Sequence, residues 1–186
     1  MNQTPTKINL DFVSRSGKAI SVREPRLSDV AIMANFINTL GSEDIYLNAS
    51  PQNLYSLKQE EQYLIDCLYK MSHRQQIYLL AFDTDRLIGS CTITKQALRQ
   101  THSGIFGITI AKAYRGDGIG KQLSQAAINL AGDIDIKIIT LDVFATNLPA
   151  INLYKSLGFK QFGLLPNGFV YKDTHIDKIL MFKELN

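Results

Sequence analysis

The chain has 186 residues, 45% hydrophobic and 20% charged, which is ordinary composition for one globular domain with a buried core. Its 20 Lys and Arg against 17 Asp and Glu give a net charge of +3 without a basic cluster, arguing against extended nucleic-acid binding or an anionic membrane surface. No apolar run approaches the ~18 residues of a membrane span, and Met1–Lys7 is polar, so a cytoplasmic protein with one domain over residues 1–186 is expected.

In chain order, Ile8–Val13 and Ala19–Glu24 are strand-like runs joined by Ser14-Arg15-Ser16-Gly17, which predicts an N-terminal hairpin. After Pro25, Ser28 stands at an N-cap position before Val30, Ile32, Met33, Phe36, Ile37 and Leu40, a helical stripe that stops at Gly41. Gly41–Pro51 is irregular and carries Glu43, Asp44 and Tyr46; a second helix follows, with Leu57, Glu61, Leu64, Leu68 and Met71 on one face. Ile77–Phe82 and Leu87–Thr94 form a second hairpin around Asp83-Thr84-Asp85-Arg86, and Ile105–Ile110 is a further strand. A third helix runs from Ile119 to near Gly132, and Ile136–Phe144 is the next strand. Asn147 caps a helix over Leu148–Leu157 that Gly158 stops, before final strands at Phe159–Leu165 and His175–Phe182. Cys67 and Cys91 fall in apolar patterns and read as reduced core residues. His73, His102 and His175 pair with nothing at ligand spacing, so no metal site is expected.

The junction at Arg115-Gly116-Asp117-Gly118-Ile119-Gly120 carries the most chemistry. A glycine-rich loop opening a helix presents unpaired N–H groups and the positive dipole end to an anion, and glycines let a pyrophosphate approach without Cβ obstruction. A Walker A loop would need glycine at Arg115 and a hydroxyl at Gln122, and a dinucleotide fingerprint would need glycines spaced G-x-G-x-x-G. Neither pattern is present.

The segment instead resembles the Q/R-x-x-G-x-G/A acetyl-CoA loop of the GNAT superfamily of N-acetyltransferases. Downstream, Leu141-Asp142-Val143 through Asn147, Ala150, Leu153-Tyr154 and Gly158-Phe159 resembles that superfamily's L-x-V-x-x-x-N-x-x-A-x-x-L-Y-x-x-x-G-F segment. The opening hairpin, Arg23-Glu24-Pro25 with Asp29, and Ile176–Met181 are also similar, so the likeness spans almost the whole chain. It implies a GNAT-type α/β (α+β) fold: a mixed, mostly antiparallel, twisted sheet of about seven strands flanked by about four helices. It implies acetyl-CoA as cosubstrate, direct transfer to a primary amine in a ternary complex, and a homodimer as one assembly. An alternative is a CoA-binding regulatory module without turnover.

By position, the resemblance implies that the amides of Asp117, Gly118, Ile119 and Gly120, with Arg115, Gly116 and Lys121, hold the pyrophosphate. The strand edge at Ile108 and Ile110 takes the pantetheine arm and supplies an oxyanion donor. Asn147 contacts the cofactor besides capping its helix, and Tyr154 is the general acid for the departing thiolate. An ammonium must lose a proton before it attacks. The Glu that the superfamily often carries on the central strand is absent from Ser103–Ile110, leaving Glu43, Asp142, Asp177 or a water relay as base. Tyr46, Tyr55, Tyr63, Phe169 and Tyr171 are candidates to line the acceptor site as small-molecule amine, amino acid or protein α-amine.

Overall fold

The computed structural model describes residues 8–42, 54–171 and 173–185. Among these residues are eight strands and four α-helices, besides short 3-10 turns: β1 (Asn9–Val13), β2 (Ala19–Arg23), α1 (Val30–Ser42), α2 (Leu57–Ser72), β3 (Gln76–Asp83), β4 (Arg86–Lys95), β5 (Ser103–Ile110), α3 (Ile119–Ala131), β6 (Ile138–Phe144), α4 (Leu148–Ser156), β7 (Lys160–Tyr171) and β8 (Thr174–Glu184). All eight strands form one sheet in the order β1-β2-β3-β4-β5-β6-β8-β7. The expected count of about seven was one short, and the closing strands run further than apolar alternation suggested. Segment 43–53, with Glu43, Asp44 and Tyr46, lies outside the described residues.

Every neighbouring pair is antiparallel except β5 and β6, which run parallel. They are joined through α3, as a parallel connection requires a crossover. This pair positions the site. Its register covers only Ser103–Ile105 against Ile138–Thr140, yet β5 continues to Ile110 and β6 to Phe144. Beyond Ile105 the two strands part, while β8 holds the other edge of β6 along its length.

The sheet buries both faces, which is why β3 reads as an unbroken apolar run rather than an alternation. On one face, Met33, Phe36 and Leu40 of α1 and Leu64 and Cys67 of α2 pack on Tyr78, Leu80, Phe82 and Leu87. On the other, Ile119, Leu123 and Ala127 of α3 and Ile151 and Tyr154 of α4 pack on Leu79, Cys91, Ile93, Phe106, Leu141 and Val143.

Two local expectations are corrected. Ser28 does not cap α1: a 3-10 turn over Leu27–Asp29 comes first, and the Asp29 carboxylate accepts the Arg26 N–H at 2.7 Å. A side chain three residues on closes the box because Asp29 is also gripped by Arg23 at 2.7 and 2.8 Å. In α2 the inward stripe is Glu60, Leu64 and Cys67, with Glu61 and Leu57 outward, because Leu64 and Cys67 pack into the cluster around Tyr78 and Leu80 and carry Glu60, one turn earlier on that face, inward with them.

Candidate active site

The gap between β5 and β6 exposes a defined set of main-chain groups. Ala111 N–H donates to the Ile88 carbonyl and Gln96 N–H to the Ser103 carbonyl, both at 2.8 Å, so odd-numbered residues of β5 face β4. Backbone groups alternate along a strand, so even-numbered residues face the other way, as the Thr140 hydroxyl donating to the Gly104 carbonyl confirms. The N–H and C=O of Ile108 and the N–H of Ile110 therefore lie along the edge that β6 has left. The Ile110 carbonyl is taken by Arg115 Nε at 2.8 Å.

At the mouth of this gap the chain turns through Lys112–Tyr114 into the glycine loop. Gly116 and Gly118 have φ of +78° and +83°, a backbone region that side chains disfavour. Gly118 is the N-cap of α3 and no side chain caps that helix, so the N–H groups of Ile119 and Gly120 stay available to an anion. Gly120 has an ordinary helical conformation, and a Cβ there would meet Leu153, Ile110 and Ile108 at 3.5–3.8 Å, ordinary contact distances. Ile119 is fully buried and pins the loop to the core, whereas Lys121 is exposed and its N–H returns to Gly118 O at 3.1 Å.

A carboxylate beside an anion site is unfavourable unless it is turned away. Asp117 accepts the Ser16 N–H at 2.7 Å and the Ser16 hydroxyl at 2.6 Å, which holds its carboxyl below the ordinary carboxylate range and aims it at the β1–β2 turn. The Asp117 carbonyl also accepts the Arg15 N–H at 3.1 Å. Neither tie was legible in the sequence, since Ser16 and Asp117 meet only through tertiary packing. The cradle of uncapped amides, positive-φ glycines and an open strand edge fits a pyrophosphate with an extended amide-bearing arm.

Tyr154 projects from α4 into the same region. Its ring meets Phe106 edge-on at 5.8 Å and Phe159 at 6.0 Å, and the residue is 8% exposed. Burial pushes the phenol well above its usual range, with Cys91 and Asp142 adding to the effect. Its hydroxyl has no hydrogen-bond partner among the described residues. Asn147 Oδ1 caps α4 by accepting the Ala150 N–H at 3.3 Å.

Thr140, Asp142 and Phe144 of β6 face the α1–α2 side of the sheet, alternating with Ile139, Leu141 and Val143 in the opposite core. Phe169 stacks on Phe144 at 3.9 Å and Tyr171 approaches it edge-on at 6.2 Å, whereas Tyr63 lies edge-on to Tyr78 at 6.3 Å on α2. The expected aromatics thus form two groups rather than one lining. Tyr55 is half exposed, its N–H bound to Asn38.

The carboxylates separate by their partners. Asp142 is paired with Lys178 at 2.8 Å, and Asp177 accepts the Asn167 N–H at 2.9 Å. Glu60, which the helical stripe passed over in favour of Glu61, is 5% exposed and has no hydrogen-bond or ionic partner among the described residues. Burial raises its carboxyl, with Tyr63, Cys67 and Tyr78 as its electrostatic neighbours. Among the described residues no cluster of His, Cys, Asp and Glu could hold a metal ion.

The sequence matches the model of the acetyltransferase (GNAT) family over residues 43–159. A Bacillus subtilis protein provisionally named a ribosomal protein bS18-alanine N-acetyltransferase is 30% identical over 109 residues, covering 59% of this chain and 69% of the relative. A GNAT-family acetyltransferase from Streptococcus pneumoniae superposes with a TM-score of 0.83 at 29% identity, over 89% of this chain and 99% of that one. The ribosomal-protein-S5-alanine acetyltransferase of Vibrio fischeri shares the fold with a TM-score of 0.82 at 18% identity, over 95% and 96% of the two chains. None of these similarities points to a CoA-binding module without turnover. The glycine loop, the parted strands and the matched sequence span agree: the chain belongs to the GNAT family of N-acetyltransferases, enzymes that use acetyl-CoA.

Proposed function

We propose that this chain transfers an acetyl group directly to a primary amine in a ternary complex, with a protein or peptide α-amine as acceptor class. The parting of β5 and β6 beside an uncapped helix N-terminus carries the reading. The similarity to a protein provisionally named for alanine at a ribosomal protein's N-terminus favours an α-amine over other acceptors.

Acetyl-CoA supplies the thioester. In this reading the amides from Asp117 to Gly120, with Gly116 giving the turn and Arg115 and Lys121 adding charge, hold the pyrophosphate. Asn147 and the free edge of β5 orient the pantetheine arm. The Ile108 N–H is the donor for negative charge developing on the carbonyl oxygen, a preorganised contact made by backbone and therefore kept through side-chain changes. Tyr154 is the general acid: its burial keeps the phenol protonated, and a proton or hydrogen bond delivered to the sulfur eases thiolate departure.

On the acceptor side, Asp142 and Asp177 are engaged elsewhere, whereas Glu60 is desolvated and has no hydrogen-bond or ionic partner among the described residues. Glu60 is accordingly the described carboxylate best suited to hold an ammonium and take its proton through water. A buried carboxylate gains most when a cation arrives to pair with it.

The test is thiol release from acetyl-CoA over a panel of N-terminal peptides, free amino acids, polyamines and aminoglycosides, with the acetylated product located by mass spectrometry. Acetylation confined to peptide α-amines supports the reading. Turnover confined to a small amine or to lysine side chains refutes the acceptor class, and acetyl-CoA binding without release on any amine refutes transfer.

A further inference from the structure

We propose that Arg15, on the β1–β2 turn, is a phosphate ligand of acetyl-CoA, so that the N-terminal hairpin forms part of the cofactor site. The inference rests on acetyl-CoA as ligand of the α3 loop, and its test reads the two separately. Arg15 lies directly on that loop: its Cγ, Cδ and Nε are 3.5–3.7 Å from the position a Cβ on Gly118 would take. Three hydrogen bonds hold the turn there. Arg15 N–H donates to the Asp117 carbonyl at 3.1 Å, and Ser16 donates its N–H and hydroxyl to the two Asp117 carboxylate oxygens at 2.7 and 2.6 Å.

The charge placed by this anchor is unspent. Lys18, on the same turn, sits over the Tyr114 ring at 4.2 Å, and Arg115 gives its Nε to the Ile110 carbonyl. Arg15 is exposed, and its guanidinium has no hydrogen-bond or ionic partner among the described residues. A guanidinium is a planar fork of donors suited to two phosphate oxygens at once, and holding its backbone in advance lowers the entropy lost when it binds. The Asp117 tie serves both ends: it brings Arg15 to the N-terminus of α3 and turns the loop's only carboxylate away from the anion. The class of ligand is a phosphate ester; acetyl-CoA offers two such groups, the pyrophosphate and the ribose 3′-phosphate.

Isothermal titration of the full chain with acetyl-CoA and with 3′-dephospho-acetyl-CoA tests the proposal in wild type, Arg15→Ala, Arg15→Lys and Arg15→Met. Arg15→Ala should weaken acetyl-CoA about 10- to 100-fold, the range of a lost charge-assisted hydrogen-bond pair, and Arg15→Lys should recover part of the loss. A contact to the 3′-phosphate predicts that the dephospho ligand binds wild type and Arg15→Ala alike; a contact to the pyrophosphate predicts the same loss for both ligands. Arg15→Met keeps the aliphatic packing on Gly118 but not the charge. Wild-type affinity in Arg15→Met, or in Arg15→Ala, overturns the proposal. Failure of wild type itself to bind acetyl-CoA would instead overturn the ligand assignment of the loop.

Discussion

Gly118 and Gly120 stand two residues apart in the loop, yet alanine at the two positions should have opposite effects. At Gly118, φ is +83°, and a Cβ would lie no closer than 3.5 Å to Arg15, so the cost is conformational rather than steric. An L-residue in the left-handed region costs about 1–2 kcal/mol, partly offset by the smaller entropy of the unfolded chain, leaving a net loss of about 1 kcal/mol. For a chain of this length that lowers Tm by about 2–4 °C. Relief of the strain rotates the peptide planes that aim the first N–H groups of α3, and losing one or two charge-assisted hydrogen bonds weakens acetyl-CoA about 10- to 100-fold. At Gly120 the backbone is already helical and the Cβ meets its neighbours at 3.5–3.8 Å, so alanine should raise Tm, by up to about 1 kcal/mol of helix propensity. Thermal unfolding and titration calorimetry on the two variants decide the matter. Wild-type affinity in Gly118→Ala would refute the role of the positive φ in aiming the amides. This asymmetry also gives a physical reason for a loop pattern that demands glycine at the first position and admits alanine at the second.

Tyr154→Phe should leave Tm little changed, since the hydroxyl has no hydrogen-bond partner among the described residues and the ring packing is kept, while turnover in the thiol-release assay falls about 100-fold or more with acetyl-CoA affinity retained; unchanged turnover reassigns the acid. Glu60→Gln separates function from stability. Burial raises the folded pKa of Glu60, so its ionised form costs stability as pH rises above the ordinary carboxylate range; the variant should melt higher at neutral pH, and the gain should fade on acidification. If Glu60 also serves the acceptor, the same variant loses about 100-fold in turnover, and full activity would remove it from the reaction. Asp29→Asn should show the opposite pH behaviour. Burial pushes the Asp29 carboxyl up, but Arg23 and the Arg26 N–H outweigh it and hold it below its ordinary value, so its stabilisation is complete above the unfolded carboxylate range and lost as pH falls through the folded pKa. The amide oxygen still accepts the Arg26 N–H, but Arg23 loses its counter-charge and one of its two acceptor oxygens, which should cost about 2–4 kcal/mol at neutral pH and little at acid pH. A Tm difference independent of pH would show that packing, not the ion pair, carries the effect.

Local signals determined much of this protein. Periodicity and turn residues located the four α-helices of the described residues and the first two hairpins, because the helical stripes and the Ser14–Gly17 and Asp83–Arg86 turns are short-range features whose energetics are settled within a few residues. The glycine loop and the Asn147 cap were legible for the same reason: both are helix N-termini, and their chemistry is written in the residues that form them. What tertiary structure alone decided involves contacts between distant segments. That β5 and β6 part after Ile105 is recorded in neither strand's sequence: β4 holds the far edge of β5 and β8 the far edge of β6, so each strand stays in the sheet while the edges facing each other open. Whether a carboxylate is engaged depends on its neighbours: Lys178 takes Asp142, Asn167 takes Asp177 and Ser16 takes Asp117, while packing of Leu64 and Cys67 against the sheet turns Glu60 rather than Glu61 inward. Side-chain identity fixes what chemistry a residue can do, but packing sets its solvation and its partners, and those decide which residues remain available to do it.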